Sequence, residues 1–273
     1  MSTTGLCRLA GITRQAHYKK HHVRSRQVVE EQKVLGWVRQ VRAQHPRMGA
    51  RKLQHKAAEQ GLSHQVKLGR DRLLEVLRRH GLLVRRKPKR TRTTYHDATL
   101  PVYRNLLYQL EPTAPHQVWV SDITYVDTQE GPVYLSLVSD RVSRLIVGWH
   151  AGESLAAHEC IKALRMAIKQ LPEGRWPIHH SDRGCQYCCH EYVAVLKERA
   201  LPISMTEANH CYENSLAERM NGILKAEYNL DATFRTKTQA RSAIAQAIDL
   251  YNKDRPHTAL QMRTPHQVHN QAA

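Results

Sequence analysis

The chain has 273 residues, 41% of them hydrophobic, and a formal net charge of +18. That length allows one large or two modest domains. The absence of any run of eighteen apolar residues excludes a transmembrane helix, and the N-terminus lacks the apolar core of a signal peptide, so a cytoplasmic protein with no membrane partner is expected.

The charge is unevenly spread. Residues 1–105 hold 25 Lys/Arg against 6 Asp/Glu, a net of +19, whereas residues 106–273 hold 17 against 18, a net of −1. A basic half joined to a neutral half fits a DNA-binding module tethered to a second, catalytic one. A merely solvated basic surface is the plainer alternative. Six cysteines in a long cytosolic chain argue against a disulfide framework. Cys185, Cys188 and Cys189 lie near His179, His180 and His190, and the Cys185-x-x-Cys188 spacing is that of a zinc site. A second pair is missing, since only Cys211 follows, so reduced and partly buried thiols are the expectation.

In chain order, residues 5–20 read as a short helix, a turn at Ala10-Gly11 and a helix capped by Thr13. A separate helix is expected from about Arg24 to Gln44, with Val28, Leu35, Val38 and Val41 on its period and Pro46 beyond its end. Residues 49–60 and 69–80 predict two more helices, stopped by Gly61 and Gly81. In the second, Leu73, Leu74, Val76 and Leu77 make an apolar face, and Arg70, Arg72, Arg78 and Arg79 stud the rest. The pair reads as a helix-turn-helix or, more plainly, as a helical hairpin with a charged exterior. Residues 85–92, which include Arg85, Arg86, Lys87, Lys89 and Arg90, hold six basic side chains and cannot build a core. They predict a phosphate-hugging linker that continues to about Pro115.

Strand patterns follow at 118–127, 133–141 and 145–151, then a helix at 154–171 capped by Ser154. Next come a strand at 177–182, a helix at 190–200, a strand at 202–206 and a helix from a cap at Asn214 to about Leu230. The order β-β-β-α-β-α-β-α predicts a mixed sheet with helices on its faces. An amphipathic helix is expected at about 237–253 through Ala240, Ile244, Ile248 and Tyr251, followed by an irregular tail.

Three acids stand out on this frame. Asp122 lies within a strand beside Trp119, Ile123 and Tyr125, Asp182 ends a strand, and Glu218, with thirty-five residues between it and Asp182, opens a helix. Three carboxylates meeting at one point repel each other unless divalent cations neutralise them. They therefore predict a site for two Mg²⁺ (or Mn²⁺) ions, roughly 3.5–4 Å apart in such centres, and phosphoryl transfer as the chemistry. Glu218, Asn221, Gly222 and Lys225 share one helix face, which brings an amide, an open backbone and a cation to the same place. Lys225 is the expected phosphate contact there.

Around these acids the chain resembles the second-frame protein (OrfB) of bacterial insertion sequences of the insertion-sequence-three family, within the DDE transposase and retroviral integrase group. The matching blocks are residues 119–125 (WVSDITY), 180–187 (HSDRGCQY), Ser204-Met205, 211–214 (CYEN), Ala217-Glu218 and 224–227 (LKAE), then Tyr251-Asn252, Arg255-Pro256-His257, Leu260 and Thr264-Pro265. Upstream, residues 45–49 (HPRMG) and 80–82 (HGL) look like the helix-turn-helix found before such catalytic domains. The resemblance implies an RNase H-like α/β core preceded by an all-α helix-turn-helix domain. It implies Asp122, Asp182 and Glu218 as the catalytic and metal-binding triad, with Lys225 as the basic partner seven residues after the glutamate. The expected division is a DNA-binding region at 1–95, a linker at 96–114, a catalytic core at 115–235 and a C-terminal helix and tail at 236–273. It further implies cleavage at element ends, joining of 3′-OH ends to DNA, a first-frame (OrfA-type) partner protein and a homo-oligomer on DNA. The alternatives are a catalytically silent DNA-binding regulator, an RNase H-type nuclease, or a zinc-dependent nucleic-acid binder built on the Cys/His tract.

Overall fold

The computed structural model describes residues 2–66, 68–84, 100–207 and 214–271. The chain forms two compact units, residues 1–85 and 86–273. The basic run at 85–92 lies outside the described residues.

The first unit is all helical: α1 (Thr3–Leu9), α2 (Arg14–Gln44), α3 (Ala50–Glu59), α4 (Leu62–Gln65) and α5 (Arg70–Arg79). Thr13 caps α2 as expected, its side chain accepting from the Ala16 amide at 3.0 Å. The expected break before Arg24 does not occur. No Gly or Pro interrupts residues 14–44 except Gly36, so one helix of 31 residues runs through. Val34, Leu35, Val38 and Val41, all in its second half, pack with Met48, Leu53, Ala57, Leu73, Val76 and Leu77 to make a small core. Arg42 ties the turns together, donating to the carbonyls of Leu82 at 2.6 Å and Met48 at 3.1 Å. Helix α5 closes in a Schellman turn: Gly81 sits at φ +65° and the Leu82 amide reaches back to Leu77 O at 2.7 Å. The short α4 was not foreseen; it follows Gly61, which also holds a left-handed conformation.

The second unit is built on a five-stranded sheet of β1 (Val118–Val126), β2 (Val133–Asp140), β3 (Ile146–Gly152), β4 (Ile178–Ser181) and β5 (Ile203–Met205), in the order β3-β2-β1-β4-β5. β1, β2 and β3 pair antiparallel; β4 pairs parallel with β1 and with β5. This is the mixed sheet that the element order implied and the RNase H-like core that the resemblance implied, with each strand within about two residues of its expected bounds.

Helices cover both faces. One core joins Trp119, Val138 and Val147 to α6 (Ala157–Lys169), α7 (Cys185–Cys188) and α8 (His190–Glu198). Another joins Val126, Leu135, Leu137 and Ile146 to α9 (Ser215–Glu227) and α10 (Lys237–Lys253). Helix α6 lies directly on β3 at Gly148, where an added Cβ would stand 2.2 Å from the Ala163 carbonyl oxygen. Only glycine permits that approach.

Three expectations need correction. Ser154 does not cap α6: the cap position is Ala156, and the Ser154 hydroxyl accepts from the Ala156 amide in a local turn instead. The tail is not irregular: a 3-10 turn (Thr258–Leu260) and α11 (Pro265–Gln271) follow α10. α11 has too few apolar residues to show a period. It is held by polar contacts, with His269 Nδ1 2.8 Å from Ser143 Oγ and its ring 4.4 Å from that of His116. Nor is the expected linker free from residue 100 on. Leu107 is buried against Val118, Val120 and Ala217, and the Leu106 amide donates to Ser204 Oγ at 2.9 Å. Among the described residues no helix is long and apolar enough to cross a membrane.

Candidate active site

Asp122 sits mid-strand on the sheet's central β1, opposite Leu137 of β2, and is only 4% exposed. A buried carboxylate needs donors to remain charged. Two are present: the Ile123 amide to Oδ1 at 2.9 Å and Asn221 Nδ2 to Oδ2 at 2.8 Å. Asp182 follows the last residue of β4, at the carboxyl end where α/β sheets present ligands. Its Oδ1 accepts from the Gly184 amide at 3.1 Å, which shapes the turn into α7.

The strand register runs toward these two acids. β1 pairs with β4 as Val118 with Ile178, Trp119 with His179 and Val120 with His180, a constant offset of 60. The pairing stops at Val120 and His180; the same offset carried two residues further would set Asp122 against Asp182. Both carboxylates act on one neighbour, the buried Tyr187 of α7. Burial first, then the neighbouring Cys160 and Tyr192, and after them the charges of the two carboxylates push its phenol well above the ordinary range.

Glu218 is half-buried in the first turn of α9, the helix that packs across β1 through Ala217. One turn further along the same helix, Asn221 makes the bond to Asp122. The three acids thus ride on neighbouring elements. Even so, among the described residues no group of three His, Cys, Asp or Glu side chains is arranged to hold a metal ion. Like charges repel, and local donors hold Asp122 and Asp182.

Lys225, the expected phosphate contact, lies with Nζ 4.2 Å from the centroid of the Tyr125 ring. A cation over an exposed tyrosine is held by about 0.5–1 kcal/mol. Gly222 is exposed, with open space where a side chain would be. Asn214 does not cap α9 by its side chain, as the sequence led us to expect; its Nδ2 donates to Ser121 O at 3.0 Å.

The thiols behave as buried side chains. Cys188 Sγ points at Met205 Sδ, 3.7 Å away, and burial raises its pKa to about 11. Cys189 Sγ donates to the Gln186 carbonyl at 3.2 Å. Neither joins a metal-holding group among the described residues, and Cys211 lies outside them. Behind β1, the buried His179 has both Ser121 Oγ at 2.8 Å and Tyr192 OH at 2.9 Å within hydrogen-bond distance of its Nε2. Burial drives its pKa down from the ordinary 6.5 to about 3. Sequence reasoning missed this network, because its members come from three separated segments.

Several residues of the matching blocks prove structural. Asn252 completes the edge of β3 by bonding both the amide and the carbonyl of Ile146 at 3.0 Å. Arg255 is buried and clasps Glu227 with two bonds of 2.8 and 2.9 Å. The Tyr251 hydroxyl reaches the Arg144 carbonyl at 3.1 Å.

In the first unit, Arg72 and Arg79 pair with Glu31 and Glu75, His80 also reaches Glu31, Arg70 pairs with Asp71, and Arg78 is exposed. The His80 bond comes first in holding Glu31 below the usual carboxylate range. Arg85, Arg86, Lys87, Lys89 and Arg90 lie outside the described residues.

The integrase core domain family model matches residues 112–211, and a second integrase core domain model matches 199–265. The chain is 36% identical over 263 residues to the insertion element IS600 uncharacterized 31 kDa protein of Shigella sonnei, covering 93% of this chain and 94% of that one. It is 34% identical over 226 residues to transposase InsF for insertion sequence IS3A of Escherichia coli K12, covering 82% of this chain and 77% of that relative. Among solved structures, the HTLV-2 integrase catalytic core domain in complex with magnesium (trimeric form) is 22% identical with a TM-score of 0.47, over 58% of this chain and 99% of that one.

Proposed function

The chain belongs to the insertion-sequence-three family of transposases, enzymes of the DDE polynucleotidyl transferase class. From that premise we propose that it cuts DNA at the ends of an insertion sequence and joins the freed 3′-OH ends to DNA, with Asp122, Asp182 and Glu218 as its catalytic acids. The observation that carries this reading is the register of β1 and β4. Carried two residues past its last pair, Val120 with His180, that register would set Asp122 beside Asp182, while Asn221 ties the Glu218 helix to Asp122.

The donors are of the chemistry a hard divalent cation takes: Asp122, Asp182 and Glu218 offer carboxylates, and the side-chain oxygen of Asn221, whose amide bonds Asp122, is buried and unpartnered. Asp122, Asp182 and Glu218 would hold Mg²⁺ (or Mn²⁺), two ions in our reading. Bound there, the metal supplies Lewis-acid polarisation of the scissile phosphate and neutralises the negative charge that develops on it. The residues do the rest. Asp122, rigid in mid-sheet, fixes one side of the site; Asp182 and Glu218 close it from a strand end and a helix start. Lys225 leaves the Tyr125 ring to meet a phosphate that flanks the cut. Water attacks first, releasing a 3′-OH; that hydroxyl then attacks a second phosphodiester, so one bond is exchanged for another and no nucleotide triphosphate is consumed.

Residues 1–95, including Arg70, Arg72, Arg78 and Arg79, recognise the element ends as a DNA-binding region of helix-turn-helix type, joined through residues 96–114 to the core. The first-frame protein and further copies of this chain complete the assembly on DNA, in the bacterial cytoplasm. The test is Mg²⁺-dependent cleavage and strand transfer on an oligonucleotide carrying the element end. Asp122→Asn, Asp182→Asn and Glu218→Gln should each abolish both steps and leave DNA binding near wild type. Strand transfer retained in any of them refutes the triad. Hydrolysis without joining by the unaltered chain would assign it instead as an RNase H-type nuclease.

A further inference from the structure

Two amides flank Glu218, and neither does the ordinary work of its position. Asn214 stands at the cap of α9 but does not cap it; it is 2% exposed and donates to Ser121 O. Asn221, two turns on and 6% exposed, donates to Asp122 Oδ2. Their acceptors are consecutive residues of β1. The acceptors also fix which way each amide faces, because a flipped amide would point oxygen at oxygen. Both Oδ1 atoms are therefore left buried with no hydrogen-bond partner. Such groups are rare, and the structure around them has to hold them in place.

We infer that Asn214 and Asn221 are positioning residues: together they bolt α9 to β1, and Asn221 sets the orientation of the Asp122 carboxylate toward the metal. This rests on the triad reading above. An amide suits the task better than a fourth acid. It donates to a carboxylate that must stay ionised, and it adds no further negative charge to three that already repel. The two bonds divide the labour. Asn214 holds a main-chain atom and so places the helix; Asn221 holds the ligand itself. Partners that orient metal ligands in this way typically cost 10–100-fold in metal affinity or activity when removed.

The experiment uses the full chain and Mg²⁺ itself, with three readouts: calorimetric Mg²⁺ binding, the rise in melting temperature that Mg²⁺ produces, and the Mg²⁺ concentration for half-maximal cleavage. Asn221→Ala should weaken Mg²⁺ binding by about 10–100-fold and shrink the melting shift to match. At saturating Mg²⁺ its maximal cleavage rate should recover most of its loss. Asn221→Asp, nearly the same shape, should bind Mg²⁺ no better than Asn221→Ala and serves if the alanine variant does not fold. Asn214→Ala should show a smaller loss, because it touches no ligand atom. Wild-type Mg²⁺ binding and half-saturation in Asn221→Ala, with a lowered rate at every Mg²⁺ concentration, would overturn the inference and leave a packing role. Asp122→Asn run alongside separates the two ideas. If it abolishes binding and cleavage while Asn221→Ala behaves as wild type, only the positioning role falls. If Asp122→Asn is itself unimpaired, the triad falls and this inference with it.

Discussion

In the helical unit, Arg72, Arg79 and His80 gather on Glu31 at the surface, and Arg70 pairs with Asp71 in the open. In the sheet unit the charged groups go inside. Asp122 is held by Asn221, Asp140 by the amides of His116, Val142 and Ser143, and Arg255 by Glu227. The difference is one of exchangeability. An exposed pair contributes about 0–1 kcal/mol, so its arginine can leave a carboxylate for a phosphate at little cost. A buried charge that loses its partner is stranded, at a cost of about 3–5 kcal/mol, so its geometry is kept. The first arrangement suits a surface that grips and releases DNA; the second suits chemistry that needs fixed oxygens.

The largest test of that contrast is to alter a fixed group. Asp122→Asn keeps the shape of the side chain but removes its charge. It should lower Mg²⁺-dependent cleavage by at least about 10²–10³-fold, the scale of losing one preorganised electrostatic group. DNA binding, measured by gel shift at constant salt, should stay within a few-fold. An equal fall in binding and cleavage would mean that the two units do not divide their work in this way.

Next in size is Gly148→Ala. The new Cβ would meet the Ala163 carbonyl at 2.2 Å, and backbone cannot turn aside as a side chain can. Overpacking of this kind costs about 1–3 kcal/mol or more. It should lower the denaturant midpoint of the sheet unit, and no shift would show that α6 rides loosely on β3.

The same division explains what the sequence disclosed. Asp122 and Asp182 were legible because strand periodicity and a strand end put them in special places, and the common offset of 60 was hidden there until the pairing was seen. Helix α10 was read to its ends because its apolar period is clean, and in the structure Thr236 caps it. What stayed hidden depends on contacts between distant segments. The Ser121–His179–Tyr192 network, the Asn214 bond to β1 and the seating of α11 on Ser143 and His116 leave no local pattern. In the helical unit the arginines were evident from composition, but their carboxylate partners on α2 were not, because Glu31 is 41 residues before Arg72.

Acid should find the buried groups before the exposed ones. His179 is neutral inside the fold, with a pKa near 3 against 6.5 when unfolded. Between those values the unfolded chain binds a proton that the folded chain refuses, so stability is full above pH 6.5 and is lost as pH falls below it. The slope from this one group approaches about 1.4 kcal/mol per pH unit. Burial lowers His116 and His269 in the same direction. The melting temperature should therefore fall steadily from pH 7 to pH 4.5. His179→Gln should melt lower at pH 7 yet depend less on pH; an unchanged slope would place the acid sensitivity elsewhere.

The smallest effects belong to the exposed arginines, and they are the ones that tell a DNA surface from a merely basic one. Removing a single arginine–phosphate interaction should lower the salt dependence of DNA affinity by about one unit of slope. Arg78→Ala deletes an exposed guanidinium, so fold stability should barely move and the slope should drop. Arg72→Ala and Arg79→Ala act against an ion pair as well, and they should weaken binding by less than Arg78→Ala does. Glu31→Gln works the other way: it releases both arginines and His80 at once, and DNA affinity should rise. An affinity that falls on Glu31→Gln would mean that the carboxylate holds these side chains in their binding pose, and that the surface is preorganised, as the acidic site is, and not exchangeable.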